Sequence, residues 1–195
     1  MCRKILLCII LVIAGAVLGI AGCIAVMKNH AHDRSTPIVG SLLSCFVPQE
    51  DCAQFIVDAI ELGESEILVQ AYGYTSKPIL AALMKAKVEK KINVRVILDK
   101  SNEEMRYPGG TCTARRDIPV LVDHTVKIAH NKVLVIDRKH VITGSFNFTE
   151  SAQKRNAENV ILVKDDPANA ARYLDNWNKR AAKSRAFKLQ DVECT

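Results

Sequence analysis

The feature that most constrains the fold is an alternation of short apolar runs, rich in β-branched residues, with longer stretches of helical periodicity. The short runs are typical of buried strands and the longer stretches of amphipathic helices. The alternation predicts an α/β sandwich in which helices cover both faces of a mixed β-sheet. Strands are expected at residues 66–72, 93–98, 120–122, 131–137, 140–143 and 159–163, and helices at 51–62, 76–90 and from 166 through Trp177.

One segment concentrates chemically active side chains. From His130 the chain reads His-Asn-Lys-Val-Leu-Val-Ile-Asp-Arg-Lys-His-Val-Ile-Thr-Gly-Ser-Phe-Asn. His130 and Lys132 are two residues apart at the start of a predicted strand, so their side chains should project from one face. Ser145 and Asn147 follow the return strand as neutral hydrogen-bond donors. A nucleophile, a cation and neutral donors together suit a phosphodiester substrate.

The spacing His-x-Lys-x4-Asp-x6-Gly-Ser-x-Asn resembles the signature of the phospholipase D superfamily, with every signature position filled. The similarity to the small single-motif nucleases of that superfamily extends over residues 45–177. The resemblance implies a phospholipase D/nuclease-like fold. It also implies a phosphodiesterase that uses neither a metal nor another cofactor, with phosphate bound by Lys132, Ser145 and Asn147.

Proton accounting makes this motif half of a site. Hydrolysis without a metal needs a nucleophile at phosphorus, positive charge on the non-bridging oxygens and an acid for the leaving oxygen. His130 can attack phosphorus to give a phosphohistidine, and Lys132 can neutralise oxygen charge. No second His-x-Lys sequence is present to supply the acid. Single-motif members resemble two-motif members when two chains meet around a two-fold axis, so we expect a C2 homodimer with a shared active site.

Two carboxylates accompany the motif. A nucleophilic imidazole needs a partner on its other ring nitrogen, and Glu158 looks like the family position whose carboxylate orients the histidine. The alternative for Glu158 is a solvated residue at a strand edge. Asp137 fills the aspartate position of the signature and is counted with the candidate site. Its odd spacing from His130 and Lys132 places it on the opposite strand face, so we expect a structural or supporting role in a turn.

The cysteines bear on the compartment. Cys45 and Cys52 flank a short turn-like connection and could close a small disulfide loop. Such a bond would favour an oxidising, extracytoplasmic location, whereas two reduced buried thiols are the alternative. No Cys-x2-Cys pair occurs, and no metal site is expected.

The amino-terminal segment is apolar. Residues 5–27 contain no charged side chain, and as a helix they would span ~35 Å, enough to cross a bilayer. An uncleaved anchor, lipid attachment at Cys23 after cleavage, and simple secretion remain open. Each places the protein on a membrane or outside the cytoplasm, in a bacterial periplasm or cell envelope. We divide the chain into an anchor or signal segment (1–28), a linker (29–40), the phosphodiesterase domain (41–187) and a tail (188–195).

The formal net charge of +6 favours a polyanionic substrate. Residues 100–111 are expected to form a loop beside the site, where Arg106, Arg115 or Arg116 would influence substrate choice. Further basic residues around the motif that would contact nucleic acid phosphates are Lys127, Arg138 and Lys139.

Three functions follow from this sequence. The first is an endonuclease that cleaves DNA or RNA. The alternative is phospholipase D-type hydrolysis of phosphatidylcholine or cardiolipin head groups at a membrane, reached through residues 5–27. The third is an inactive nucleic-acid-binding protein, which the intact motif residues argue against.

Overall fold

The computed structural model describes residues 39–104 and 109–194. These residues form an eight-stranded sheet with the order β1-β7-β6-β5-β2-β3-β4-β8. The pairs β2–β3 and β3–β4 are parallel, and the other neighbours are antiparallel. The strands are β1 (Ser41–Val47), β2 (Glu66–Ala71), β3 (Asn93–Asp99), β4 (Val120–Asp123), β5 (Lys132–Ile136), β6 (His140–Gly144), β7 (Glu158–Lys164) and β8 (Arg185–Ala186). The helices are α1 (Cys52–Glu61), α2 (Lys77–Val88), α3 (Ser101–Glu104), α4 (Gly109–Ala114), α5 (Glu150–Arg155) and α6 (Pro167–Ala181).

The sheet has a separate apolar core on each face. Ile56 of α1 and Leu83 of α2 pack with Leu134 of β5 in one core. Val133, next to Leu134 in β5, packs with Trp177 of α6 in the other. This division follows from the alternation of side chains along a strand. Burial of each large apolar side chain contributes about 1.5–3 kcal/mol, so both faces hold the sheet in place.

The predicted mixed sheet with packed helices is confirmed. Each of the six predicted strands is present, and the three long helices lie within a few residues of their expected positions. The expected amino-terminal helix and most of the linker fall outside the described residues. Within residues 39–104 and 109–194, no helix combines the length and apolar character needed to cross a membrane.

The prediction of a plain loop over residues 100–111 is wrong, because α3 and α4 lie there. Gly109 and Gly110 read as turn residues in the sequence, yet they begin α4. A Cβ atom at Gly109 would lie only 2.0 Å from the carbonyl oxygen of Tyr74. Glycine is therefore required at this position by close packing, and α4 can lie directly against the residues that follow β2.

Two disulfides link separate segments of the described chain. Cys45 in β1 is bonded to Cys52 in α1, the pair considered from the sequence. A second bond, between Cys112 of α4 and Cys194, was not anticipated. Gln190 strengthens this attachment, since its backbone amide donates to the Thr111 hydroxyl at 3.1 Å. The carboxyl-terminal residues are thus held against α4.

Candidate active site

The candidate residues other than Asp137 lie at one edge of the sheet, formed by the ends of its strands. The parallel strands β2, β3 and β4 end at this edge, and the antiparallel strand β5 begins there. Pairing of Ala71 with Lys132 puts the end of β2 beside the start of β5. Ser145 follows β6, and Glu158 begins β7, so the signature residues converge from three neighbouring strands.

His130 and Lys132 are in direct contact. The Nζ atom of Lys132 lies 3.1 Å from Nδ1 of His130 and donates a second hydrogen bond to the His130 carbonyl oxygen at 3.0 Å. A lysine ammonium has three donors and no acceptor, so Nδ1 must accept. In a neutral imidazole the proton then lies on Nε2. A neutral N–H group of this kind can donate a hydrogen bond, and the residue that carries it is exposed.

Lys132 is a buried cation, with only 6% of its surface exposed. Burial lowers its pKa below the usual range, and the opposite charge of Glu158 counteracts part of that effect. A desolvated ammonium attracts phosphate oxygens more strongly than a solvated one, because water screens it less. The site therefore holds a compact positive charge directly beside the imidazole.

Glu158 makes different contacts from those expected. Within the described residues it forms no hydrogen bond with His130; its carboxylate accepts hydrogen bonds from the Ser145 hydroxyl and from Nδ2 of Asn156, the latter at 2.7 Å. The partner of the His130 ring in this chain is Lys132. Glu158 acts on the pair through its charge, and it fixes Ser145, whose Oγ also accepts a hydrogen bond from the amide of Asn159 at 3.0 Å.

Close pairing of β6 with β7 brings Ser145 to Glu158. The pairing runs through Gly144, which lies opposite Val160. A Cβ atom on Gly144 would approach the carbonyl oxygen of Asn159 to 2.2 Å, so a larger residue would push the strands apart. The glycine in the signature thus serves strand packing.

Asn147 carries an unpaired polar atom. Its Oδ1 is buried and has no hydrogen-bond partner within the structure. A buried amide oxygen without a partner costs about 1–3 kcal/mol, which most side chains avoid. Oδ1 is an acceptor and would suit a ligand that donates a hydrogen bond, whereas the oxygens of a phosphate would be bound by Nδ2 of the same amide.

Asp137 does not join the site. It follows the last residue of β5, at the opposite end of the strand from His130. Its carboxylate accepts hydrogen bonds from the amides of Glu64, Ser65 and Glu66 at 2.8–2.9 Å, and from the Ser65 hydroxyl at 2.7 Å. These contacts support the structural role expected from the odd spacing of Asp137, and its inclusion among the candidate catalytic residues stays a prediction.

The basic residues near the motif are distributed over both ends of the sheet. Lys127 is exposed in the loop that leads into His130. Arg138 and Lys139 lie in the turn that contains Asp137, at the far edge, where Arg138 pairs with Glu66 at 3.2 Å. Of these three cations, only Lys127 is placed to contact a substrate at His130.

The arginines expected to influence substrate choice have other surroundings. Arg106 lies outside the described residues. The Arg115 guanidinium donates to the carbonyl oxygens of Val192 and Gln190, at 2.7 and 3.4 Å, and so binds the carboxyl-terminal tail. Arg116 is exposed in the turn before β4, toward the edge remote from His130.

Tyr72 is a site residue that the sequence reasoning missed. It is the residue after β2, and its ring centroid lies 4.7 Å from that of His130. The signal available in the sequence was its place directly after a buried strand, which is where parallel strands deliver functional side chains. In the part of the chain that the structure describes, no group of three His, Cys, Asp or Glu side chains converges to hold a metal ion.

Comparison with known proteins gives one consistent result. The family model described as "Cardiolipin synthase, PLD-like domain" matches residues 56–181. The chain is 46% identical to "Phospholipase D" of Rickettsia prowazekii over 73% of its own length and 69% of that protein. It is 32% identical to "Mitochondrial cardiolipin hydrolase" of Xenopus laevis, over 63% of this chain and 58% of that one.

A solved structure matches the fold. The phospholipase D family member Nuc from Salmonella typhimurium superposes with a TM-score of 0.73 at 29% identity, over 76% of this chain and 98% of that protein. NucT from Helicobacter pylori superposes with a TM-score of 0.68 at 21% identity, over 75% and 99% of the respective chains. The similarity therefore covers about three quarters of this chain and nearly all of each solved structure.

Proposed function

This chain belongs to the phospholipase D superfamily and is a phosphodiesterase, and we propose that it works without a metal through a phosphohistidine in a site shared by two copies. The observation that carries the proposal is the direct contact of Lys132 with His130. It joins a nucleophile to a buried cation at the sheet edge. The sequence holds no second His-x-Lys pair, so in this proposal a second copy of the chain supplies the other histidine.

The reaction begins with attack on phosphorus. A ring nitrogen of His130 in one copy forms a bond to phosphorus while the bond from phosphorus to the leaving oxygen breaks. His130 of the second copy, as an imidazolium, gives a proton to that leaving oxygen, and the resulting neutral ring then removes a proton from the water that attacks the phosphohistidine. Lys132 and the Asn147 amide nitrogen bind the phosphate oxygens, whose charge grows in the transition state. The Ser145 hydroxyl, which donates to Glu158 in the free protein, turns to the phosphate when substrate binds.

The contact of Lys132 with Nδ1 belongs to a neutral His130 that is not yet in either catalytic state. The acid copy must be an imidazolium with a proton on both ring nitrogens, because a neutral ring that gave up its only N–H proton would become an imidazolate. The nucleophilic copy needs a free lone pair on Nε2 and its proton on Nδ1, so Lys132 must leave Nδ1 in both copies. Glu158 is the acceptor we propose for that proton, since its charge already acts on Lys132.

For the substrate we propose nucleic acid, cleaved endonucleolytically as DNA or RNA. Two exposed cations support this choice. Lys127 lies in the loop that leads into His130, and Arg185 of β8 lies opposite Val122, near the end of β4, in the register of the sheet. Together with the net charge of +6 they provide a path for a phosphate backbone across the edge of the sheet.

Phospholipid hydrolysis is the second candidate, and a specific feature favours it. Ile128 is 51% exposed only two residues before His130, which would suit insertion between lipid head groups. The relatives named phospholipase D and cardiolipin hydrolase agree with a phosphatidylcholine or cardiolipin substrate.

We further propose that the phosphodiesterase domain spans residues 41–187, after an anchor or signal segment (1–28) and a linker (29–40) and before a tail (188–195). An extracytoplasmic or membrane-anchored location is supported by the two disulfides, which persist in oxidising compartments. A bacterial periplasm or cell envelope meets this condition.

Parallel assays of the full-length protein decide the substrate. Single-stranded DNA, duplex DNA, RNA, phosphatidylcholine vesicles and cardiolipin vesicles are offered in excess chelator, with His130→Ala as the inactive control. We expect turnover of nucleic acid to persist in chelator. We also expect KM for nucleic acid to rise in Lys127→Ala. Lipid turnover alone, lost in Ile128→Ser but unaffected in Lys127→Ala, would replace the nuclease with the phospholipase. Strict dependence on added magnesium would refute the metal-free mechanism.

A further inference from the structure

We propose that Tyr72 is a positioning residue that holds the His130–Lys132 pair, a role that rests on the function proposed for that pair. The Tyr72 and His130 rings lie 4.7 Å apart between centroids, with a tilt of 54°. Lys132 Nζ lies 5.3 Å from the centroid of the same ring. One aromatic side chain therefore touches both members of the pair, in the tilted and cation–π geometries that proteins favour.

The backbone of Tyr72 is fixed from two sides. Its amide donates to the carbonyl oxygen of Asn131 at 3.0 Å, the residue between His130 and Lys132. Its carbonyl oxygen accepts a hydrogen bond from Nδ2 of Asn102 at 2.8 Å. Asn102 is itself only 6% exposed, and the same nitrogen donates to the carbonyl of Asp99 at 3.1 Å. The ring is thus set on a rigid part of the sheet edge.

The carboxyl-terminal tail supports this arrangement from outside. Nε2 of Gln190 donates to the carbonyl oxygens of Asn102 and Glu103, at 3.3 and 2.6 Å. The tail is closed onto α4 by the bond between Cys112 and Cys194. A continuous series of contacts therefore leads from that disulfide through Asn102 to Tyr72.

The ring has two physical effects on the pair. It limits rotation of an imidazole that is otherwise exposed, which keeps the ring nitrogen in line for reaction. It also shields the Lys132 ammonium from water. Two other titratable groups, His130 and Glu158, act on this ammonium from neighbouring segments of the chain. Removal of the ring would admit water, and the pKa of Lys132, which burial holds low, would move up toward its usual value.

Three variants of the full-length protein test the role. Tyr72→Leu removes the ring, and Tyr72→Phe keeps it. Asn102→Ala removes the hydrogen bond to the carbonyl oxygen of Tyr72. The probe is bis(p-nitrophenyl) phosphate. For Tyr72→Leu we expect kcat to fall about 10- to 100-fold with KM within about threefold, since small misplacements of a reacting group carry that cost. The fall of kcat/KM at basic pH, which we assign to loss of the Lys132 proton, should move to higher pH. Tyr72→Phe should keep kcat within about threefold and leave that fall at its wild-type pH.

The control separates this inference from the proposed function. If His130→Ala retains activity, the proposed function fails; if His130→Ala is inactive and Tyr72→Leu keeps wild-type kcat and pH profile, only the positioning role fails. An equal fall in kcat in Tyr72→Phe would also overturn the positioning role, because it would assign the effect to the hydroxyl and not to the ring. Should Tyr72→Leu not fold, folded Asn102→Ala decides: a fall in kcat without a change in KM is expected, and unchanged kcat overturns the inference.

Discussion

The Nζ atom of Lys132 donates a hydrogen bond to Nδ1 of His130 across 3.1 Å. Both residues belong to one chain, so the contact forms without a partner. It defines where a neutral imidazole carries its proton, namely on Nε2. In the shared site that we propose, one histidine must be an imidazolium that donates a proton while the other attacks phosphorus through Nε2. Neither state has a lone pair on Nδ1, so the contact with Lys132 must be lost in both copies.

Lys132→Gln should lower kcat by about 10²- to 10³-fold, because it removes a preorganised charge aimed at the phosphate oxygens. The control is Lys179→Gln on α6, whose lysine is 70% exposed and pairs with Asp175 within its own helix. The measurement is steady-state hydrolysis of a phosphodiester by both variants. A Lys132→Gln enzyme with the kcat of Lys179→Gln would contradict the role of the cation.

Asp137→Asn should destabilise the fold and leave kcat unchanged. The carboxylate accepts hydrogen bonds from three consecutive amides, and replacing it by an amide should reduce the free energy of unfolding by about 2–3 kcal/mol. Urea denaturation of this variant is compared with Asp175→Asn, a surface control on α6. A loss of activity in folded Asp137→Asn without a loss of stability would make Asp137 a catalytic residue.

The same carboxylate should make stability depend on pH. Burial acts to raise the pKa of Asp137, but the hydrogen bonds from Glu66, Ser65 and Glu64 outweigh it, so the pKa lies below its usual value. The folded protein binds this proton more weakly than the unfolded chain does. The stabilisation is therefore present above the usual carboxyl pKa and is lost as the pH falls toward the folded value. In urea titrations, Asp137→Asn should narrow the stability difference between neutral and acidic pH; an unchanged difference would contradict this.

Asn147→Leu should separate stability from activity. Its Oδ1 is buried without a partner, so an apolar side chain of similar size should leave the free energy of unfolding unchanged or raise it by about 1 kcal/mol. Phosphodiesterase activity should fall about 10- to 100-fold, since a phosphate ligand is lost. Asn178→Leu, at an exposed position of α6, is the control. A large loss of stability in Asn147→Leu alone would show that the amide has a structural role.

The two disulfides should contribute unequally to stability. The chain-entropy model assigns about 4–5 kcal/mol to the Cys112–Cys194 bond, which joins residues 82 apart, and about 2–3 kcal/mol to the Cys45–Cys52 bond, which joins residues 7 apart. Double replacement of Cys112 and Cys194 by alanine should therefore lower the free energy of unfolding more than double replacement of Cys45 and Cys52. Urea denaturation of the two variants measures the order, and the reverse order would contradict the estimate.

The parts of the fold that local pattern controls could be predicted. Val133 and Val135 alternate with Leu134 and Ile136, and this pattern revealed β5 because both faces of that strand are buried. α4 was missed because Gly109 is a turn residue by local preference, and the close approach of Tyr74 that requires glycine there is not visible in the local sequence. β8 has two residues, both exposed, and carries no apolar pattern at all.

The candidate site likewise has some contacts that local spacing predicts and others that depend on the fold. Contact of His130 with Lys132 follows from a spacing of two residues, which the sequence displays directly. Contacts of Tyr72 with His130, and of Cys112 with Cys194, join distant parts of the chain and depend on strand order. The partner of the His130 ring was assigned to Glu158 by resemblance, whereas the described chain places Lys132 there.

The central claim, that two chains complete one site, is tested most directly by mixed dimers. Wild-type and His130→Ala chains are co-expressed in equal amounts, and activity per total protein is measured on a phosphodiester with an unactivated alcohol as leaving group, which requires the acid. If each site needs both histidines, only dimers of two wild-type chains are active, and random pairing gives about one quarter of wild-type activity. Activity of about one half would mean that each chain works independently, and would contradict the shared site.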